Sequence, residues 1–411
     1  MPARLPSTDA AMVPPALASL SPEARLVLLS AGGSAHDPEM RVLLAGGLDW
    51  GKVLVLAQRE RALAILWARV NRLGHALIPD ETAVQLQRMA LVSEFTLLQL
   101  EQRLGEVLST LDGAGISVVL LKGAALAVSV YAAFSQRPMA DIDLLLEPAR
   151  ALDAQRLLVA RGWAWDADEA LQTFYDGHHH LPPMYRAKGS GAGACLELHT
   201  ALFFEGHPFL LSGDDIRERA HPVHVGRGMA LVPAPVHQLL HLCLHFAWSH
   251  GMTAGAWRTF RDMQALIATD QIVWRELVEM ARATRGGSCC YWSFRLARDL
   301  LGVAVPEDVL QALRPPQPEY VLRRVEQHFL YHLLPTEGLC PSVRVARRMW
   351  TAGICPEWSG HGAVRPWDRS PIFPNPARAA TGVRKVVQHV ANARGWARYI
   401  RAIVRPAPLS S

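Results

Sequence analysis

Cysteine is scarce in this chain and its few thiols are scattered. Six occur, Cys195, Cys243, Cys289, Cys290, Cys340 and Cys355, and none forms a CxxC pair. That pattern excludes a zinc ribbon and a disulfide framework, and a reducing cytoplasm is the expected setting. Long apolar runs are missing too: no stretch reaches the roughly 20 residues of a membrane-spanning helix. The segment MPARLPSTDAAMVPP lacks a continuous apolar core and is not read as a signal peptide. No internal repeat or low-complexity tract stands out. Acidic residues stop at Asp368, while Arg378, Arg384, Lys385, Arg394, Arg398, Arg401 and Arg405 follow. What is present is ordinary globular material: 411 residues, 50% hydrophobic and 19% charged, with a net charge of +5. Such a chain can bury a sizeable core and fill two or three domains.

The stretch richest in chemistry runs from Val118 to Leu146. Ile116 to Leu121 is apolar and reads as a buried strand. Lys122-Gly123 breaks it, a small-residue helix follows over 124–133, and Arg137-Pro138 leads into a second strand from Asp141 to Leu146. Strand side chains alternate, so Asp141 and Asp143 share a face while Ile142 and Leu144 point to the core. Two adjacent carboxylates are costly unless a cation lies between them, and Mg²⁺ favours carboxylate oxygens together with substrate phosphates. These residues point to a metal-dependent nucleotide-phosphate site. A third carboxylate is needed to hold two dications, and Glu197 in Cys-Leu-Glu-Leu-His-Thr is the candidate, sharing one strand face with Cys195 and His199. Gly123 lets backbone approach a phosphate; Lys122 is expected either to reach the β- or γ-phosphate or to stand exposed at the strand end, and Arg137 either to neutralise the triphosphate, the favoured role, or to pair structurally with Asp141.

The run LLKGAAL, a tyrosine, then RPMADIDLLL resembles the uncharacterised bacterial nucleotidyltransferase family, a branch of the DNA polymerase β-like superfamily. The likeness extends over roughly Asp49 to Leu301 and is sharpest from Leu120 to Leu146. It implies a strand, a turn, a helix and an Asp-x-Asp strand, with Lys122-Gly123 where most superfamily members carry Gly-Ser. It also implies an acidic residue followed by Leu-His at the position of Glu197. The implied reaction is transfer of a nucleoside monophosphate from an NTP to an acceptor hydroxyl or phosphate, with Mg²⁺ or Mn²⁺. A peptide or other biosynthetic product is the implied acceptor; nucleic acid is less favoured.

The expected fold class is α+β: a small mixed sheet of nucleotidyltransferase type with extensive helical regions on both sides. Five parts are expected: a disordered lead-in over 1–20, an N-terminal helical region over 21–113, the catalytic core over 114–232, a helical domain over 233–305, and a C-terminal helical region over 306–411. Ser21-Pro22 starts one helix, Asp49 caps a helix from Trp50 to Leu73, and another runs from about Glu81 to Asp112. Helices are expected near 149–161, 234–250, 256–268, 272–285, 288–301 and 317–334, and strands at 178–186 and 194–200. The segment 378–404 reads as a basic amphipathic helix suited to an acidic partner.

Two histidine groups carry weaker signals. His178, His179 and His180 on a strand would alternate faces, so at most two would converge. His237, His241 and His245 fall at i, i+4 and i+8, and a helix face lining the cleft fits better than a zinc site; His245 is assigned there as a nucleotide-side residue. Asp262 reads as a helix cap or ion-pair partner. Two rival functions stand beside transfer. A sugar-nucleotide glycosyltransferase using Asp141-x-Asp143 would need a nucleoside-binding parallel βαβ region upstream, where this chain has helices. The other is a non-catalytic nucleotide- or peptide-binding protein.

Overall fold

The computed structural model describes residues 14–74, 77–165, 175, 177–186, 194–335 and 343–354, with 396, 397, 399–401 and 403. Seven strands form one mixed sheet: β1 Val119–Leu120, β2 Asp141–Leu145, β3 Trp163–Trp165, β4 Met184–Arg186, β5 Cys195–His199, β6 His221–Val225 and β7 Gly228–Val232. Their order is β3-β4-β5-β2-β1-β7-β6. β2 pairs antiparallel with β1 and parallel with β5, and β1 runs parallel to β7. The sheet is therefore larger than the small one expected. The β6–β7 hairpin supplies much of the excess: Val225 pairs with Gly228 across a two-residue turn whose Gly226 takes φ +60°. The alternation in HPVHV and GMALV around Gly-Arg-Gly carries that hairpin, a strand pair before Pro233 that was not expected.

The pleat decides which way each residue faces. Ile142, Leu144 and Leu146, with Leu196, Leu198, Val118 and Leu120, pack into one core with Leu97, Leu104, Leu108 and Leu111 of the helix Asp80–Asp112 and Leu158 of the helix Ala151–Ala160. The long helix comes close: a Cβ on Gly228 would lie 2.5 Å from the Leu108 Cβ and the Ser109 nitrogen. On the opposite face Val119, Leu121 and Leu145 join the larger core of the helical body, which includes Trp248, Trp257, Trp292 and Phe294. Asp141, Asp143 and Glu197 share this second face, between sheet and helical body.

The Asp80–Asp112 helix is apolar on two sides. Its N-terminal half also presents Val84, Leu91, Val92, Phe95 and Leu98 to solvent, each more than half exposed. Spacings of seven, four and three residues between positions 84, 91, 95 and 98 align them in one stripe.

Most expected helices are found, with two changes. Asp49 does cap a helix, its side chain accepting from the Lys52 amide. That helix ends at Glu60, and a second runs over Leu63–Gly74. Arg61 sits between them in the left-handed region at φ 60°. The 234–250 helix is α-helical over Pro235–Leu244 and continues as a π-helical turn, His245–Ser249. Two further helices lie where none was expected, Glu307–Leu313 and Val343–Ile354. Within the expected lead-in, Pro15–Ala18 is helical and Leu17 and Leu20 are buried. Most of the basic segment 378–404, and Cys340 and Cys355, lie outside the described residues. No helix among the described residues is long and apolar enough to cross a membrane.

Candidate active site

Parallel pairing of β2 and β5 sets the site. Register places Asp141 opposite Cys195 and Asp143 opposite Glu197. Neighbouring strands lie about 4.8 Å apart, so the two carboxylates meet by backbone geometry alone. The carboxylate of Asp143, the carboxylate of Glu197 and the imidazole of His199 offer ligand atoms within 4.8 Å of one another. His199 Nε2 lies 2.9 Å from Asp143 Oδ1 and 3.4 Å from Glu197 Oε2. The Lys122 ammonium donates to the same Asp143 Oδ1 at 2.8 Å.

Opposing charges sort the titrations. Burial alone would raise the Asp143 carboxyl, but the Lys122 charge and the His199 hydrogen bond hold it well below the usual range. Burial likewise raises Glu197, and the His199 hydrogen bond brings it below its ordinary value. Asp141 goes the other way: desolvation in the cleft and the nearby Asp143 charge raise it, against the pull of Lys122. Burial would lower Lys122, yet the Asp143 and Glu197 carboxylates keep it raised.

Lys122, not Gly123, takes the strained backbone of the strand-to-helix bend, with φ 48°. A left-handed non-glycine at such a bend is a feature of functional loops. Gly123 serves close packing instead. A Cβ there would lie 3.0 Å from Arg137 Nη1 and 3.3 Å from the Met139 Cβ. Arg137 is committed to structure: Nε and Nη2 donate to the Asp262 carboxylate at 2.7–3.0 Å, and Nη1 donates to the Pro138 carbonyl at 2.6 Å. The Tyr131 hydroxyl donates to Asp262 Oδ1 at 2.8 Å. Arg137 had been assigned to the triphosphate. Its guanidinium still borders the cleft, but Asp262, fully buried, claims its fork. Asp262 is thus an ion-pair partner, as one of its two sequence readings had it.

The cleft itself has a volume of about 570 Å³, within the range of small-molecule sites. Lys122, Gly123, Arg137, Asp141, Asp143 and Glu197 line it, so every residue assigned from sequence borders one space. His241 and His245 line it as well; His237 does not. His245 opens the π-helical turn, with its ring 4.6 Å from that of His250, and burial followed by the Lys122 charge holds it well below its usual value. π-turns of this kind recur at functional sites.

Two cations were missed. Arg61 and Arg258 both line the cleft. Arg61 makes no ion pair among the described residues, and its left-handed backbone is what separates the two helices. Its neighbour Glu60 is fully buried and accepts from the Gly255 and Trp257 amides, anchoring the start of the helix Ala256–Ile267. Favourable contact of a carboxylate with a helix N-terminus is expected. The signal was legible: Glu60 continues the buried spacing of Val53, Leu56 and Ala57, and an acid on an apolar face demands a partner.

The model for uncharacterised nucleotidyltransferases matches residues 46–302. The chain belongs to that family. No curated protein and no solved structure matches it. The matched span contains β1 to β7, the cleft and the helices through Gly287–Leu301, and family membership supports a transferase acting with NTP.

Proposed function

We propose that this chain transfers a nucleoside monophosphate from an NTP to an acceptor hydroxyl or phosphate, with Mg²⁺ or Mn²⁺. The observation that carries the reading is the in-register Asp143–Glu197 pair, with Asp141 on the same face, at the floor of a cation-lined cleft. The donor set suits a dication. Asp143 already draws two cationic or protonatable groups, Lys122 Nζ and His199 Nε2, onto one oxygen, and carboxylate oxygens suit both Mg²⁺ and Mn²⁺. Asp141, Asp143 and Glu197 would hold the metal, which when bound supplies Lewis acidity at the phosphate oxygens.

The protein's own groups take the remaining tasks. Glu197, with its carboxyl held below the usual range, is ionised at neutral pH and accepts the acceptor's proton. Lys122, drawn from Asp143, and Arg61, which makes no ion pair among the described residues, bind the triphosphate. Arg137 and Asp262 keep the Gly123 turn in place. A peptide or other biosynthetic product fits as acceptor, and the cytoplasm fits as the place. One rival keeps support from a specific contact: the Lys122–Asp143 ion pair would also neutralise a site that binds nucleotide without turnover. The sugar-nucleotide alternative lacks its strands, since residues described before β1 are helix and turn.

Incubation with each α-labelled NTP, Mg²⁺ or Mn²⁺ and candidate acceptors tests the proposal. Label should pass to an acceptor with one NTP, and Asp143→Asn should lower kcat/KM by about 10³-fold. Nucleotide binding with no transfer under any metal, equal in wild type and variant, would favour the binding-only rival.

A further inference from the structure

We propose that His178, His179 and His180 form a second metal site, for a borderline transition-metal dication of the Zn²⁺ class, with Glu197 shared between it and the carboxylate centre. The sequence expectation had the triplet alternating along a strand. Instead strand pairing there is limited to one bridge, His180 with His199, and the three rings turn together. Their centroids lie 4.2–4.8 Å apart, and one nitrogen from each falls within 4.8 Å of the other two. Ligand atoms around tetrahedral zinc sit about 3.3 Å apart, so a modest closure of the side chains completes the set.

The tautomer of His180 is set by its neighbour. His180 Nδ1 lies 2.7 Å from the Leu181 carbonyl oxygen, which only accepts, so Nδ1 carries the proton and Nε2 the lone pair. Holding the far nitrogen on a backbone carbonyl is the usual way a ligating imidazole is oriented. That Nε2 is 3.7 Å from Glu197 Oε2, within reach of a common ion. His179 Nδ1 is enclosed and has no hydrogen-bond partner. Three imidazoles select zinc-like ions and discriminate against Mg²⁺. All three residues border the cleft, beside His199, whose ring is 5.0 Å from His180 and 5.2 Å from His179.

The inference rests on the proposed function only through Glu197, and its test reads metal, not turnover. The full chain is dialysed against buffered Zn²⁺ at micromolar free concentration in millimolar Mg²⁺, and bound zinc is measured by mass spectrometry. Wild type should hold one zinc per chain. The pair His178→Gln/His179→Gln should weaken zinc by about tenfold or more, and Asp143→Asn should keep it. With Co²⁺, the wild-type protein should show visible d–d bands of a tetrahedral nitrogen–oxygen site; this carries the test even if the glutamine pair misfolds. No zinc in wild type, unchanged affinity in a folded glutamine pair, zinc lost with Asp143→Asn, or a thiolate charge-transfer band would each overturn the site. Zinc retained with no nucleotidyl transfer would sink the proposed activity alone.

Discussion

At the scale of single residues, the cleft places groups where they oppose the stability of the empty protein. Asp141 is the clearest. Its carboxyl is raised by desolvation and by Asp143, so ionising it costs the fold. The sign follows: a group with a raised folded value is a burden above that value, and no burden below its unfolded value near 4. Asp141→Asn should therefore raise the melting temperature of the metal-free protein at pH 7 by roughly 1–2 °C. The gain should vanish below about pH 4, while Mg²⁺-dependent transfer falls; calorimetry at two pH values checks it. A variant that melts lower at pH 7 would remove Asp141 from the strained set. Arg61 permits a cleaner separation. Glycine adopts the left-handed backbone that Arg61 occupies without the steric cost of a side chain. Arg61→Gly should leave the melting temperature unchanged or slightly higher and raise KM for NTP by about tenfold. An unchanged KM would take Arg61 out of the phosphate site.

At the scale of elements, the Arg137–Asp262 pair ties the strand-entry turn to the helix Ala256–Ile267. Both side chains are buried, and Tyr131 adds a third member. Removing one partner strands a charge without water. Arg137→Leu should cost about 3–5 kcal/mol in urea unfolding, and adding Asp262→Leu should restore most of it. If the double variant were no more stable than the single one, the pair would not be acting as a unit. This pairing joins segments 125 residues apart, and that separation explains why sequence reading gave Arg137 to substrate. That Asp141, Asp143 and Glu197 share one sheet face was legible because alternation along each strand fixes a face. The parallel β2–β5 register then sets Asp143 beside Glu197. The histidine triplet was misjudged for the matching reason: a strand period was applied to a segment that makes a single bridge. The Trp50–Leu73 helix was drawn unbroken because its apolar spacing continues through Glu60, and only the buried acid marked the break.

At the scale of the whole molecule, the sheet is a partition. One face is sealed by the Asp80–Asp112 helix, and the other holds the cleft against the helical body. The seven-stranded extent was hard to see because β3 is only three residues long, too short for a periodic signal, and the β6–β7 hairpin follows a stretch where no element was expected. The seal has a second side. Val84, Leu91, Val92, Phe95 and Leu98 put their side chains in water on a helix whose other face is already satisfied. Burial there contributes nothing to folding, so polar replacements carry little cost. Phe95→Lys with Leu91→Gln should leave the urea midpoint within about 0.5 kcal/mol of wild type, and light scattering should show clumping at a higher protein concentration. In the laboratory, then, this stripe sets the ceiling on how densely the protein can be held in solution, and detergent or glycerol would lift that ceiling without touching the chemistry on the far side of the sheet.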